Sequence, residues 1–441
     1  MASNGEGSTD YASAEHEAAY MEQVRRDLPR NFLAHVLHGL LGQTGFRLVN
    51  APTFLPAYLM LLSGSEFVVG LGRSIQYLGM FLSPLIGAHL IEHRKRVLPV
   101  GFAVGLGMRF QVLGIALVGF FLAPGPAVIA ICVFLFFFGF LMGMQGVIFN
   151  FLMSKVIPVD RRGFLVGLRT SLAGFTAAGV AYLGGRYLVE PNVFGNGYAV
   201  TFLVAFVLTT LGLSMLLMIR EPVPPEVRMP VSLFSRLGDL PAMLKSDRAF
   251  ISYFLARALA TMGRMAVPFY ILYVGEVMGV ATESGNAIPS GAAIGVLSTA
   301  FIIANSVTNF GWGLIADRTG FRFVLLISLG VWIAGAMGIM SATNLIGFAW
   351  CFVGVGAGMG GFQMAAQNMA LEFGSRADLP VRIAVANSAQ EFVGFLGPLL
   401  GGVIAVAFSK QSLFWVAIAF QLSAVAVVLL FVDEPRHRAD S

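Results

Sequence analysis

A chain of 441 residues that is 57% hydrophobic and 12% charged, with a mean hydropathy of +0.80, is too apolar for a soluble protein, where about 25% of residues are charged. Its length is better counted in bilayer crossings of about 20 apolar residues each than in soluble domains. The net charge of +5 does not point to nucleic acid, because the basic residues are dispersed between apolar segments, and Cys132 and Cys351, far apart inside such segments, make neither a disulfide framework nor a metal cluster.

Residues 1–32 are polar, with Glu6, Asp10, Glu15, Glu17, Glu22, Arg25 and Arg26 and no apolar core. They are expected to form a loose cytoplasmic tail, helical near the membrane, and not a cleavable signal peptide. Twelve apolar spans follow, at 33–62, 66–91, 97–122, 125–150, 163–187, 198–219, 249–275, 291–316, 322–342, 345–371, 381–407 and 411–432. Backbone groups in lipid must bond within their own segment, so each span is expected to be helical. The one long polar interruption, 220–248, carries Pro222, Pro224, Pro225, Pro230 and Pro241. Prolines at that density resist regular structure, though 231–245 could form a short surface helix. The expected organisation is a tail (1–32), a six-helix bundle (33–219), a cytoplasmic connector (220–248), a second six-helix bundle (249–432) and a short cytoplasmic tail (433–441).

Outside the spans and at their ends, Lys and Arg gather on the side of the two termini, as in Arg94-Lys95-Arg96 and Arg161-Arg162, while Arg186 and Lys410 fall on the other side. The positive-inside rule then places both termini in the cytoplasm, as for a multi-pass protein of an inner (plasma) membrane. The halves look like repeats. Thr44-Gly45-Phe46-Arg47 in span 1 parallels Thr261-Met262-Gly263-Arg264 in span 7, and Gly143-Met144-Gln145-Gly146 in span 4 parallels Gly358-Met359-Gly360-Gly361 in span 10. Two six-helix parallel repeats form one of the transporter architectures.

The loop after span 8, from Gly313 through Asp317, Arg318 and Gly320 to Arg322, resembles the cytoplasmic loop motif of the major facilitator superfamily, Gly-x-x-x-Asp-Arg-x-Gly-x-Arg. Pro158 to Gly163 is similar to that superfamily as well, and the resemblance covers about residues 33–432. It implies alternating access with Gly313, Asp317, Arg318, Gly320 and Arg322 as a gating latch. Asp317 is placed to bond the start of a neighbouring helix, and Gly320 permits a tight turn. The first-half loop departs from the motif: Ile91 holds the Asp position, with Glu92 as a substitute one residue late. Gly397-Pro398-Leu399-Leu400-Gly401-Gly402 resembles a motif of drug–proton antiporters. It sits in span 11 instead of span 5, so it reads as a kink and packing site. Gly356, Gly358 and Gly361 have dinucleotide-loop spacing but lie inside a helix, where close packing is expected instead.

The buried charges carry the functional reading. An arginine at the bilayer centre costs at least about 2.5–3.5 kcal/mol on insertion scales, so it should face a cavity or a partner. Arg47 and Arg264 lie mid-span in spans 1 and 7, which line the central cavity in the resembled superfamily. Either they clamp an anionic group, since guanidinium forks suit carboxylate and phosphate, or each pairs within its own half. Arg73 and Arg169, nearer span ends, are expected to snorkel; Arg109 in span 3 has no account at this level. Asn50, Arg257, Asn305, Asn309, Gln363 and Gln367 lie on polar helix faces, as substrate contacts or as glue between helices. Glu391, alone deep within a span, is a proton carrier or a counter-ion to Arg264 or Arg257. The resulting expectation is an all-α secondary transporter moving a small organic anion by proton symport or anion exchange. The alternatives are a proton-coupled exporter of drugs or hydrophobic compounds, and a transport-inactive receptor or assembly factor on the same scaffold. The expected partners are a small-molecule substrate, protons and the lipid bilayer; no catalytic constellation, cofactor, metal or nucleic acid is expected.

Overall fold

The computed structural model describes residues 6–223, 248–281, 287–370 and 379–432. The expected surface helix at 231–245 and the tail 433–441 lie outside these residues. The first half comprises α1 (Glu6–Asn50), α2 (Phe54–Ser63), α3 (Glu66–Leu82), α4 (Pro84–Glu92), α5 (Leu98–Phe121), α6 (Pro124–Val156), α7 (Val159–Leu183) and α8 (Gly197–Met215). The second comprises α9 (Arg248–Met262), α10 (Val267–Met278), α11 (Gly291–Thr319), α12 (Phe321–Ser341), α13 (Leu345–Met369), α14 (Leu379–Ala407) and α15 (Lys410–Phe431). A short antiparallel ribbon pairs Val280–Ala281 with Ala287–Ile288.

Among the described residues, eleven helical units are long and apolar enough to cross a bilayer. The twelfth span is span 1, which starts in polar sequence and breaks between α1 and α2. Pro52 has no N–H to donate and disfavours helical backbone at Ala51, so the helix stops there. Span 7 is interrupted at the matching place by a 3-10 turn, Gly263–Ala266, with Pro268 opening α10. Both interruptions lie next to the arginines of the repeat, Arg47 and Arg264.

The segment expected to be a loose tail is helical from Glu6. It is docked as well as helical: Tyr20 donates to the Lys155 carbonyl (3.1 Å), Arg30 Nε to that of Met218 (2.6 Å), and Asn31 pairs with both backbone polar groups of Arg220. These bonds tie it to the ends of α6 and α8.

Within the first half, α1 packs on α7 and α8, and α3 and α5 on α6; within the second, α13 packs on α11 and α12, and α9 on α15. The halves meet chiefly through α3 with α14 and α7 with α11. In span numbers these are 2 with 11 and 5 with 8. A repeat that maps span n onto n+6 exchanges the two pairs, so the interface has the pseudo-twofold symmetry of the sequence. Large apolar side chains cover the outer surface; Phe121 is 78% exposed and Trp350 72%, a surface that lipid, not water, would cover. The glycines of span 10 are packing sites. A side chain at Gly356 would strike the Phe301 carbonyl, one at Gly358 the backbone of Trp332, and one at Gly361 the Trp312 ring.

Candidate transport cavity

A cavity of about 460 Å³ lies between the halves, where the break in span 1, α3, the 263–266 turn, α11, α13 and α14 converge. Arg47, Asn50, Arg264, Asn305, Gln363, Gln367 and Glu391 all line it. Arg257 and Asn309 do not. Arg257 sits one layer behind, giving Nη2 to Asn387 Oδ1 (2.9 Å) and Nε to Gln390 Oε1 (3.0 Å). It thereby orients Gln390, which does line the cavity. Asn309 donates to the carbonyl of Asn305 (2.7 Å).

The two repeat arginines are held differently. Arg47 crosses between the halves, donating Nη1 to Ser306 Oγ of α11, with Nη2 3.5 Å from the Thr170 carbonyl of α7. Among the described residues Arg264 has no hydrogen-bond partner; its Nε is buried without one, and its guanidinium carbon lies 5.7 Å from the centre of the Tyr77 ring. Glu391 forms no ion pair with either Arg264 or Arg257, and its Oε2 is likewise buried and unpartnered. Buried polar groups are ordinarily bonded, so two opposite charges left free in one cavity mark where a ligand's polar groups fit.

Arg73 does not snorkel. It is 8% exposed and lines the cavity. The last carbonyls of a helix have no intrahelical donor, and α1 ends inside the protein. Arg73 supplies the donor: Nη2 reaches the carbonyls of Asn50 (2.8 Å) and Ala51 (2.9 Å), while Nη1 donates to Gln76 Oε1 (2.9 Å). Gln76 Nε2 in turn donates to Asn50 Oδ1 (2.7 Å). Gln76 and Tyr77 also line the cavity and were not anticipated. The available signal was Pro52, which ends span 1 mid-membrane and so demands a nearby donor. Arg169 is buried too, its guanidinium carbon 4.5 Å from the centre of the Phe149 ring. Gly39 opposite leaves the room, since a Cβ there would meet the Arg169 side chain at 2.5–2.7 Å.

The residues expected as a latch lie away from the cavity. Gly320 adopts φ 86°, in the left-handed region that glycine tolerates, and turns the chain from α11 into α12. Arg322 Nη2 donates to the Leu429 carbonyl (3.1 Å) near the end of α15. Gly313, Asp317 and Arg318 lie in the last two turns of α11. Asp317 and Arg318 are exposed, and among the described residues Asp317 bonds to no neighbouring helix. Glu92 closes α4, partly exposed.

Residues 249–441 match the family model described as Major Facilitator Superfamily. Over nearly its whole length the fold superposes on a D-xylose–proton symporter, with TM-score 0.71 and 13% identity, covering 92% of this chain and 98% of that one. The second half of the chain thus matches the superfamily's family model, and the whole chain has the fold of its solved members. The nucleoside transporter NupG gives TM-score 0.71 at 11% identity, covering 91% of this chain and all of that chain (100%). An inward-facing, unoccupied bacterial homologue of the human lysosomal transporter Spinster gives 0.62 at 14%, covering 93% and 94%. In sequence, 183 residues are 24% identical to the vacuolar basic amino acid transporter 5 of Saccharomyces cerevisiae, which is 41% of this chain but only 30% of that protein's length. The chain thus has the multi-pass helical fold of these transporters, and the structural likenesses, at such identities, speak for that fold and not for activity or substrate.

Proposed function

We propose that this protein is a secondary transporter of small organic anions, working by alternating access around the cavity described above. The observation that carries the reading is Arg264, whose donors are unbonded in a cavity also lined by Arg47 and Arg73 and by one carboxyl, Glu391. Guanidinium charge withdrawn from water requires a counter-charge, and the lining supplies too little of it. Met80, Met142, Phe301 and Met359 form the apolar part of the wall and suit the carbon body of an organic anion. A basic amino acid, as in the name of the yeast relative, would bring its side-chain ammonium into an already cationic site.

The bonds between the halves that favour this conformer cluster toward one end. Thr53 and Ser298 share a hydroxyl contact (2.5 Å), Thr299 donates to the Ala178 carbonyl (2.9 Å), and Glu190 accepts from the backbone N–H of Ala292 (2.9 Å). By the distribution of Lys and Arg this is the extracytoplasmic end, so the conformer is read as inward-facing.

The test is thermal stabilisation of the purified protein by a panel of organic anions, neutral sugars and nucleosides, and organic cations, since a ligand of the folded state raises the melting temperature. Stabilisation by anions alone, lost in Arg264→Gln, is the expected result. Stabilisation by cations or neutral compounds alone overturns the reading.

A further inference from the structure

The cavity holds more positive charge than the two repeat arginines supply. Arg73 is a third guanidinium in its wall. The acceptors that hold it are three backbone carbonyls, of Val49, Asn50 and Ala51, and an amide oxygen. They orient the fork but carry no formal charge, so its positive charge stays in the pocket. Arg264 faces the same surface of α3, over the ring of Tyr77, and Tyr77 follows Arg73 by one helical turn. Against three guanidiniums the lining offers, among the described residues, a single carboxyl, Glu391. Three positive charges and one negative leave the wall with two uncompensated positive charges when Glu391 is ionised. A monoanion neutralises one of them and a dianion both, and in a site of low effective dielectric the residual charge is costly.

We infer that the substrate is a dianion, a dicarboxylate or a phosphate monoester, and that Arg73 is the residue that sets the preference over monoanions. This rests on the organic-anion reading of the cavity. Arg73 acts by its charge and by position. Its bonds to the Asn50 carbonyl and to Gln76, which holds the Asn50 side chain, fix the broken end of span 1 against the substrate space. Its two Nη groups are already engaged there, whereas Arg264 has no partner among the described residues, so direct contact with the substrate falls first to Arg264.

The experiment is calorimetric titration of the full-length protein in detergent at mildly alkaline pH, with size-matched pairs: succinate against butyrate, and phenyl phosphate against benzenesulfonate. The dianion of each pair is expected to bind at least about ten-fold more tightly. Equal affinities within both pairs overturn the dianion inference and leave the anion reading standing; no binding of any of the four overturns both. In Arg73→Gln the ratio is expected to fall towards one while monoanion affinity changes little, and an unchanged ratio removes Arg73 as its source. Arg73→Lys keeps the charge and loses the fork, and is expected to retain most of the preference, which tests the assignment even where Arg73→Gln does not fold. A folded Arg73→Lys variant with no preference overturns the charge-based role.

Discussion

Lys410, the first residue of α15, donates to Glu66 of α3 in the opposite half and to Glu276 of α10 in its own. Its ammonium is therefore a bolt between the halves, buried at 6% exposure. The proposed alternating access requires the bolt to open, because it joins α3 and α15 of opposite halves. In Lys410→Met the two carboxylates face each other without a cation, and this conformer loses about 1–2 kcal/mol, a factor of about five to thirty in the conformer ratio. Distances between spin labels placed on either side of the contact should lengthen in the variant. An unchanged distance distribution would show that Lys410 does not hold the halves.

The same end is closed by backbone packing. A Cβ at Gly70 would strike the carbonyl of Pro398, and one at Gly185 would sit 2.5 Å from the backbone of Gly295. Because the two interfaces are pseudo-symmetric images, Gly70→Val and Gly185→Val should give one phenotype: a folded protein that cannot close this end and does not transport. Flux in liposomes, with a melting curve as the control for folding, checks it. Normal flux in either variant would contradict the rocking-halves geometry.

Glu391 lines the cavity and forms no ion pair with Arg264 or Arg257, so a coupling proton carried there has a measurable consequence. Acidifying the compartment from which substrate enters should then accelerate uptake, because protonation there loads the carrier. In Glu391→Gln that acceleration should vanish, while exchange of substrate for substrate persists at all pH values. Acceleration by acid that survives in the variant would place the proton elsewhere.

Much of this arrangement was legible in the sequence because its physical constraints are local. A glycine after a charged helix end announces a left-handed turn, and Gly320 makes one. An arginine in mid-membrane needs a cavity or a partner, and Arg47 and Arg264 share a cavity. The polar helix face on which Arg257 was read as a substrate contact was misleading. The chain tightens to a 3-10 turn at Gly263, which winds by about 120° per residue instead of about 100°. Two such steps turn Arg264 by only about 40° relative to Arg257, so the face is still shared; Arg257 stays off the cavity because Asn387 and Gln390 hold it. Arg73 was illegible for a different reason. Position along a span cannot say whether a guanidinium reaches back to the membrane surface or across to carbonyls that another helix leaves exposed.

Arg109 shows the same limit and has a structural role only. Its Nε donates to the Thr209 carbonyl of α8 (2.8 Å) and its Nη1 to the Gly105 carbonyl of its own helix (2.6 Å), while its guanidinium carbon lies 5.0 Å from the centre of the Phe46 ring of α1. One side chain thus joins α1, α5 and α8 at a depth where water cannot replace its bonds. It is 1% exposed and does not line the transport cavity. Two charge-assisted hydrogen bonds and a cation–π contact are lost in Arg109→Met, at a cost of about 2–4 kcal/mol. Arg109→Lys should recover part of this, since an ammonium reaches a carbonyl but cannot fork between two. The melting temperature in detergent should fall in the order wild type, Arg109→Lys, Arg109→Met, while flux per folded molecule stays constant. A stable Arg109→Met protein that fails to transport would reverse the assignment and make this arginine part of the transport machinery.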